Sequence, residues 1–421
     1  MTDAHTAHTT HTTHTTHTTL SRPGGALGGD SARVERPDSL AAAAELLKQS
    51  HGAVLLCGGG TKLDWGGLVT DPDLVVHTRD LRGVLTHNPA DMTASVRAGT
   101  TLTDLQEHLA GDNQWLALDP PTATQGATVG GLLAAGDSGP SRLRYGGLRD
   151  LVIGVTLVLA DGTVARSGGH VIKNVAGYDL AKLVHGSLGS LALVAEVVVR
   201  LHPRPAASLT VAGPADAAQA TAAALALAAS PLEPAAVEWV GGAESGTLYV
   251  REDGSASHVE TAGTRTVQLL QTLGVVAQTL SSDEGRAAWQ DHATAVIGSS
   301  DETVLRVSSR PSDLAHLVRH AAEAARASGV TLQVVSSAGL GLHTFRLRGS
   351  EAADHARAIT VVREYALSRR ASVLLRQRPD EVNRLVDVLG PPPSTAALLR
   401  QIKAQFDPAG RLAPARFAPW Y

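Results

Sequence analysis

The chain has 421 residues and a formal charge of −4 at pH 7, and 43% of its residues are hydrophobic. That length exceeds what one hydrophobic core usually organises, so we expect more than one domain. The small negative charge provides no basic field for a polyanion, which argues against a nucleic-acid partner. Cys57 is the only cysteine, so an internal disulfide and a cysteine-based metal or iron–sulfur site are excluded, and a cytoplasmic location is expected.

The N-terminal residues 1–32 form a His- and Thr-rich tract in which histidine recurs every three residues, at His5, His8, His11, His14 and His17. On an extended chain with three residues per turn, this period aligns the imidazoles on one edge, where they could collect a transition metal. The low-complexity composition favours the other interpretation, a disordered tail. The tract lacks the apolar core of a secretory signal, and no apolar run of ~18 residues predicts direct membrane insertion.

From residue 33 onward, apolar periodicity and turn signals predict alternating strands and helices. A helix over 41–48, begun by Asp38, precedes a buried strand over 53–57. Strands over 74–76 and 93–97 follow, then a helix over 102–109 with Thr101 or Thr103 at its start. The Asp161-Gly162 pair predicts a hairpin between strands over 151–159 and 163–166. A helix over 179–185 and a strand over 191–201 complete this part of the chain.

The prolines at 203 and 205 mark the predicted domain boundary, because the composition shifts beyond them. Ala-rich helices are predicted over 214–230 and 311–328, with strands over 237–240, 248–250 and 304–307 between them. A last helix is predicted over 395–406. The expected organisation is a first domain over 33–204, an α+β second domain over 205–393 and a C-terminal helix and tail over 394–421.

Glycine-rich runs are the most informative local feature. Gly58, Gly59, Gly60 and Thr61 follow the apolar strand directly, and a second run spans 126–131. Glycine lets a ligand approach backbone N–H groups, and several such groups in one turn bind a diphosphate well. Lys62 would supply a cation beside it, although an ordinary glycine loop is the alternative. The first run continues into Trp-Gly-Gly rather than an apolar helix, which argues against a dinucleotide-binding Rossmann site and against NAD.

The order of these segments resembles the FAD-binding domain of the vanillyl-alcohol oxidase and p-cresol methylhydroxylase (PCMH) superfamily. The runs over 143–150 and 174–180 further resemble the FAD-binding subunit family of bacterial glycolate oxidases. The resemblance covers residues 33–204, returns over 402–410, and is weak between. It implies an α+β protein with a PCMH-type two-subdomain FAD-binding domain, an α+β cap domain, and a C-terminal tail that returns to the first domain.

The resemblance also implies which residues contact FAD. They lie in the glycine runs, the segments around them and the strand near 193: Gly58, Gly59, Gly60, Thr61, Lys62, Pro121, Gly126, Ala127, Thr128, Gly130, Gly131, Ser138, Gly139, Arg142, Tyr145, Val152, Asn174, Gly177, Tyr178, Asp179, Leu180, Gly189, Leu193 and Val194. Some relatives attach FAD covalently through a histidine or cysteine in the loop that spans 59–64 here. No such residue occupies it, so we expect non-covalent FAD.

The cap departs from the family pattern at the metal ligands and base of related 2-hydroxy-acid dehydrogenases. Their His-Ala-Gly-Asp-Gly-Asn-Leu-His motif corresponds here to Ser-Ala-Gly-Leu-Gly-Leu-His over 337–343, and no Glu-His pair occurs near 370–375. A single histidine cannot hold a divalent ion, so no metal site is expected. His343 is a catalytic candidate beside a structural interpretation. Arg142, Arg144 and Arg149 could bind a carboxylate or phosphate, or form ion pairs.

By resemblance, the sequence predicts the FAD-binding subunit of a multi-subunit glycolate oxidase or dehydrogenase that converts glycolate to glyoxylate. Its partners would be a homologous, larger FAD subunit and an iron–sulfur subunit, which could hold it peripherally at the inner face of the cell membrane. One alternative is a stand-alone FAD-dependent dehydrogenase for a 2-hydroxy acid such as D-lactate. Another is a non-catalytic subunit that its flavin stabilises.

Overall fold

The computed structural model describes residues 20–22, 25–27, 32–69, 71–171 and 177–421. The histidines of the N-terminal tract lie outside the described residues. Within the described ranges, the chain forms five sheets and twelve α-helices. None of these helices is both long and apolar enough to cross a membrane.

The N-terminal region, residues 20–204, carries four of the five sheets. Its strands are β1 (Leu20–Arg22), β2 (Gly25–Leu27), β3 (Arg33–Glu35), β4 (Val54–Cys57), β5 (Leu74–His77), β6 (Val84–Asn88), β7 (Thr93–Arg97), β8 (Gln114–Trp115), β9 (Val152–Val158), β10 (Val164–Gly168), β11 (Leu193–Arg200) and β12 (His202–Pro203). Its helices are α1 (Leu40–Gln49), α2 (Leu102–Ala110), α3 (Val129–Ala135), α4 (Arg142–Tyr145), α5 (Leu148–Leu151) and α6 (Leu180–Val184).

The first layer is a parallel sheet in the order β3-β5-β4. All four residues of β5 are buried, as expected for a strand of a parallel sheet that is covered on both faces. Helix α1 begins at Ser39, whose Oγ accepts a hydrogen bond from the Ala42 N–H at 3.2 Å. The prediction that Asp38 begins this helix is wrong by one residue, because the hydroxyl of Ser39 accepts the hydrogen bond from the free N–H at the helix end.

The second layer is an antiparallel sheet in the order β10-β9-β11-β7-β6. The predicted hairpin is confirmed, since β9 and β10 pair from Val158 opposite Val164 onward. Gly162 in its turn has a φ of +85°, a conformation that favours glycine. Thr101 begins α2, and its side chain accepts a hydrogen bond from the Asp104 N–H at 3.1 Å. The apolar faces of α2, α3 and this sheet form one core.

The cap region, residues 205–393, is built on one eight-stranded sheet in the order β16-β13-β15-β14-β18-β19-β17-β20. Its strands are β13 (Ala207–Ala215), β14 (Ala236–Gly241), β15 (Gly246–Gly254), β16 (Gln278–Thr279), β17 (Thr303–Ser308), β18 (Thr331–Ser337), β19 (Leu342–Arg348) and β20 (Ser372–Gln377). Its helices are α7 (Ala217–Ala228), α8 (Ala256–Thr272), α9 (Ser282–Ile297), α10 (Leu314–Ser328) and α11 (Ala352–Ser368).

The two faces of the cap sheet differ in character because successive side chains of a strand point to opposite sides. Trp239, Leu305 and Phe345 are buried in one core with α7, α10 and α11. The alternating residues are polar: Glu238 contacts α9, and Arg251 contacts the N-terminal region. The charged face of the cap sheet therefore lies toward the N-terminal region.

The C-terminal segment returns to the first layer. After α12 (Ala396–Phe406), the Val54 N–H donates to the Arg411 carbonyl at 2.8 Å, and the Ala413 N–H donates to the Val54 carbonyl at 2.8 Å. Val54 and Leu412 form a parallel bridge. The tail thus extends the parallel sheet beside β4, as the sequence predicts. The mixed α+β architecture is confirmed, whereas the domain boundaries stay a prediction.

Arg251 joins the cap sheet to the N-terminal region. Its guanidinium donates to the Asp119 carboxylate at 3.2 Å and to the Ser141 hydroxyl at 2.6 Å. Burial alone would lower the pKa of Arg251, but the carboxylates of Asp119 and Asp253 outweigh it and raise the pKa above its ordinary value. Arg251 is therefore charged in a largely buried position.

We expect Arg251→Met to lower the free energy of unfolding by about 3–5 kcal/mol, because it leaves Asp119 without its buried counter-charge. Arg286 pairs with Asp283 on the surface, so Arg286→Met should change it by less than about 1 kcal/mol. Urea unfolding of both variants measures the difference. Equal losses would show that Arg251 does not hold the two regions together.

Candidate cofactor and substrate site

A cleft at the carboxyl end of β4, here called the glycine cleft, collects eleven of the predicted FAD contacts. Its empty space is about 730 Å³ including the open mouth. The predicted residues that line it are Gly58, Gly59, Gly60, Thr61, Lys62, Thr128, Gly130, Gly131, Gly189, Leu193 and Val194. Segments far apart in sequence therefore meet at one site.

The glycine cleft provides hydrogen-bond donors of the kind that a diphosphate needs. The N–H groups of Gly59 and Thr61 have no acceptor among the residues that the structure describes. Free backbone donors in a turn satisfy phosphate oxygens without a buried counter-charge. The residues present therefore fit the diphosphate of FAD.

The shape of this cleft depends on glycine at one point. A Cβ added to Gly59 would lie 2.1 Å from the carbonyl oxygen of Gly126. The two glycine runs are thus in direct backbone contact, and any side chain at position 59 would push them apart.

Arg416 holds the loop that follows the first glycine run. Its guanidinium donates to the carbonyls of Leu63, Trp65 and Gly67 at 2.8, 2.9 and 2.9 Å. Burial lowers its pKa to about 10, which still leaves the side chain charged at neutral pH. The C-terminal tail therefore fixes one wall of the glycine cleft, since Arg416 also lines it.

A second cleft, the inter-region cleft, lies between the N-terminal region and the cap sheet. Its empty space is about 710 Å³ including the mouth. Thr61 lines both clefts, so they meet at that residue. Its lining is Thr61, Trp65, Pro121, Thr122, Gln125, Asp137, Val296, Ile297, Gly298, Ser300, Val304, Arg376 and Gln377. Of these, only Thr61 and Pro121 belong to the predicted site.

A buried charge cluster separates the two clefts. Lys62 Nζ lies 3.3 Å from the Asp137 carboxylate and donates to the Thr122 hydroxyl at 2.7 Å. Thr122 in turn donates to Asp137 at 3.0 Å. Burial alone would raise the pKa of Asp137, but the charges of Lys62 and Arg376 and the Thr122 hydroxyl bring it below its ordinary value. Burial lowers the pKa of Lys62, and Asp137 offsets only part of this effect.

Other predicted contacts lie outside these two clefts. Val152, Gly177, Tyr178 and Asp179 line a separate cleft, and Asn174 is outside the described residues. Tyr145 packs edge-on against Trp115 and His202. The rest of the set is Gly126, Ala127, Ser138, Gly139, Arg142 and Leu180, which flank the glycine runs or begin α4 and α6. Their assignment to FAD stays a prediction.

The three arginines singled out in the sequence either donate hydrogen bonds within the protein or line another cleft. Arg144 donates to the Asp253 carbonyl at 2.8 Å, and Arg142 lies 3.4 Å from the Ser138 hydroxyl. Arg149 lines the separate cleft with Asp150. None of the three lines the inter-region cleft.

His343, the catalytic candidate, is buried in the cap. Its Nδ1 lies 2.8 Å from the Ser336 hydroxyl and its Nε2 lies 2.9 Å from the Ser309 hydroxyl. Burial, together with the charge of Arg306, lowers its pKa to about 3. The imidazole is therefore neutral, uses both ring nitrogens within the protein, and lines neither of the two clefts. This geometry supports the structural interpretation.

Sequence reasoning missed Trp65, Asp137, Arg376 and Arg416. Trp65 follows the first glycine run closely, and Asp137 directly precedes Ser138, so both could have been suggested by their proximity in sequence to predicted FAD contacts. Arg376 and Arg416 come from β20 and the tail, and only the tertiary fold brings them to the site. No local signal identifies them.

Comparison with known proteins agrees with this geometry. Residues 31–168 match the family model described as an FAD binding domain. Glycolate oxidase subunit GlcE of Escherichia coli is 36% identical over 171 residues, which cover 39% of this chain and 48% of the relative. Glycolate oxidase subunit GlcD of Bacillus subtilis is 33% identical over 197 residues, which cover 47% of this chain and 41% of the relative. The chain thus spans about half or less of the length of these relatives.

Among solved structures, a chitooligosaccharide oxidase is similar over 95% of this chain and 93% of its own, with a TM-score of 0.68 and 16% identity. That likeness shows a shared fold. The family match shows that residues 31–168 carry an FAD-binding domain. This family match is confined to those residues, about a third of the chain.

We expect Gly59→Ala to weaken FAD binding at least 10-fold, because the new methyl group would displace the Gly126 carbonyl. Gly169→Ala is the matched control, since a Cβ there meets nothing within 4 Å. Fluorescence titration of the FAD-depleted proteins measures the affinity, and circular dichroism checks folding. Unchanged FAD affinity in a folded Gly59→Ala variant would place the diphosphate elsewhere.

We expect acid to destabilise the fold partly through His343. Its folded pKa is below the unfolded value of ~6.5, so only the unfolded chain takes up this proton as the pH falls through ~6.5, and stability decreases down to about pH 3. His343→Gln removes this effect. At pH 7.5 we expect the free energy of unfolding of the variant to be about 1–2 kcal/mol below that of the wild type. At pH 5 this deficit should be smaller by about 2 kcal/mol and so disappear, since one pKa unit is worth ~1.4 kcal/mol.

Urea unfolding at both pH values measures this deficit, and exposed His51→Gln gives the baseline for losing a histidine. A deficit that does not change with pH would contradict the assignment of His343 as a buried neutral side chain.

Proposed function

We propose that this chain is the FAD-binding subunit of a multi-subunit glycolate oxidase. The observation that carries the proposal is the meeting of the two clefts at Thr61. A phosphate-binding cleft that lies next to a second cleft under a cap can hold one extended cofactor with a small substrate beside it. The names of the two curated relatives, both glycolate oxidase subunits, support this substrate and this assembly.

In this proposal FAD is bound without a covalent bond. The loop over 59–64 contains no cysteine or histidine. Cys57 lines the glycine cleft but is 1% exposed, and burial raises the pKa of its thiol to about 11. The thiolate is the reactive form of cysteine, so this side chain is a poor nucleophile at neutral pH.

FAD, when bound, supplies an acceptor for the electrons released from a CH–OH group. The chain's own residues bind and orient the cofactor: Gly59 and Thr61 present free N–H groups, and Lys62 adds a positive charge at the junction of the clefts. The Arg416 contacts keep the wall of the cleft in place, and the cap sheet covers the second cleft.

The residues that line the inter-region cleft do not include an evident general base. Its described lining contains one carboxylate, Asp137, and no histidine. Asp137 is ionised and occupied by Lys62 and Thr122, and a carboxylate with a lowered pKa is a weak base. We therefore propose that a homologous, larger FAD subunit completes the oxidation and that an iron–sulfur subunit takes the electrons. The assembly would lie in the cytoplasm at the inner face of the membrane.

We expect the purified, FAD-loaded chain to keep its flavin absorption when glycolate is added without oxygen. The flavin of the complex co-purified with its partner subunits should bleach under the same conditions. Anaerobic absorption spectra of both samples measure this, with D-lactate as a second substrate and the flavin-depleted Gly59→Ala protein as the blank.

Bleaching of the isolated chain by glycolate or D-lactate would instead establish a stand-alone dehydrogenase. An isolated chain that never acquires flavin bands would contradict the cofactor assignment. A complex whose flavin does not respond to glycolate would contradict the proposed substrate.

A further inference from the structure

Two arginines of the cap sheet lie at or beside the inter-region cleft: Arg376 lines it, and the half-buried Arg306 is two residues along β17 from Val304, which lines it. Arg376 is 6% exposed and lines the cleft. Its Nε has no hydrogen-bond partner, which is also true of Arg251 and Arg416. Those two arginines donate through their terminal nitrogens, whereas Arg376 donates no hydrogen bond to a residue that the structure describes. Its nearest carboxylate oxygen, on Asp137, lies 3.8 Å away. Arg306 forms no hydrogen bond or ion pair with the residues that the structure describes. A buried guanidinium normally has its donors satisfied.

The two arginines lie on the same part of the sheet. Arg306 of β17 is opposite Leu374 of β20, two residues before Arg376. A bulge at Arg376 interrupts the pairing of β17 and β20, but both arginines act on the carboxylate of Asp137 and so face the same cluster. The charge of Arg376 also helps lower the pKa of Arg306 to about 9, after the larger effect of burial. Both guanidinium groups are thus charged at neutral pH and close enough to repel each other.

The carboxylates near the two arginines do not neutralise their positive charge. Asp137 is the carboxylate that faces this cluster from the N-terminal region, and it is already bound to Lys62. Glu238, on the same face of the cap sheet, is paired with His292 at 2.8 Å. Three cations, Lys62, Arg306 and Arg376, therefore share one available carboxylate. An anion in the cleft would relieve this surplus.

We propose that Arg306 and Arg376 form a binding site for a small organic carboxylate in the inter-region cleft. Two guanidinium groups can hold a carboxylate with parallel hydrogen bonds. Trp65, Val296, Ile297 and Val304 line the same cleft, and their apolar surface suits a short carbon chain better than a hydrated inorganic ion. The proposal deepens the proposed function, since it rests on the same cleft.

A structural role for Arg376 is the main alternative, because its guanidinium lies 3.8 Å from the centre of the Trp65 ring. Such a cation–π contact contributes about 0.5–2 kcal/mol, whereas removing a charge from water costs several kcal/mol. The contact alone does not offset that cost. Arg306 has no such aromatic contact with the described residues, so stacking does not account for it.

The test uses oxalate, a carboxylate without a CH–OH group, which cannot be oxidised in the way that glycolate is. Isothermal titration of the FAD-loaded chain with oxidised flavin measures its affinity. We expect Arg306→Met and Arg376→Met each to weaken oxalate binding at least 10-fold, and Arg376→Lys to recover part of it. Arg348→Met is the control, because Arg348 is an exposed residue of the same sheet that pairs with Glu302; it should stay within twofold.

Asp137→Asn gives an opposite prediction: removing the competing carboxylate should strengthen oxalate binding about 3- to 10-fold. A purely structural cluster would give weaker binding in this variant. Thermal melts and flavin content identify variants that fail to fold, and Arg376→Lys keeps the proposal testable if Arg376→Met is among them.

Absence of oxalate binding by the wild type, or equal affinity in the folded arginine variants, would overturn the proposal. Inorganic phosphate bound more tightly than oxalate through the same arginines would overturn its carboxylate class. Glycolate-dependent bleaching of the complex without any effect of the two arginines would refute this site and leave the proposed function intact. Oxalate binding that depends on the arginines, without bleaching of the complex by glycolate, would support this site and contradict the proposed function.

Discussion

The backbone contact between the two glycine runs is the constraint on which the rest of the site depends. Position 59 has no room for a Cβ beneath the Gly126 carbonyl, so the parallel and antiparallel layers meet there without intervening side chains. This contact leaves the N–H groups of the first run facing a cleft. Because the contact involves main-chain atoms, it is maintained by packing on both sides: the cores of the two layers and the C-terminal tail beside β4.

Buried arginines link the distant parts of the chain, and they differ in how they are satisfied. Arg416 and Arg251 bind carbonyl or carboxylate oxygens of segments that are 353 and 132 residues away in sequence, so their charge is compensated within the protein. Arg376, on the same sheet face as Arg251, is not compensated in this way. The contrast matters because desolvation costs all of them a similar amount. A guanidinium that is buried, unbonded and beside a cleft therefore indicates a ligand more strongly than a well-bonded one.

Much of the N-terminal region could be predicted from the sequence, because its signals are local. The Asp161-Gly162 turn and the Thr101 cap each act over a few residues, and each predicted its element correctly. The glycine runs also indicated the site, since backbone exposure is a property of the residue type itself. The inter-region cleft could not be predicted in the same way. Arg376 and Asp137 lie 239 positions apart in sequence, and their approach depends on how the cap sheet packs against the first region.

The burial of His343 shows why residue type alone is a weak guide to catalysis in this fold. The sequence offered a histidine at the end of a motif related to a metal-binding one, yet β18 and β19 place it on the core face of the cap sheet between two serines. Arg306 lies on the neighbouring strand β17, and its side chain points to the opposite face of the sheet. The strand register therefore separates a neutral, structural histidine from the charged residues that face the cleft. The carboxylate of Glu238 on that face is paired with His292. The face is therefore better suited to binding an anion than to deprotonating a substrate, which supports the proposal of a second subunit.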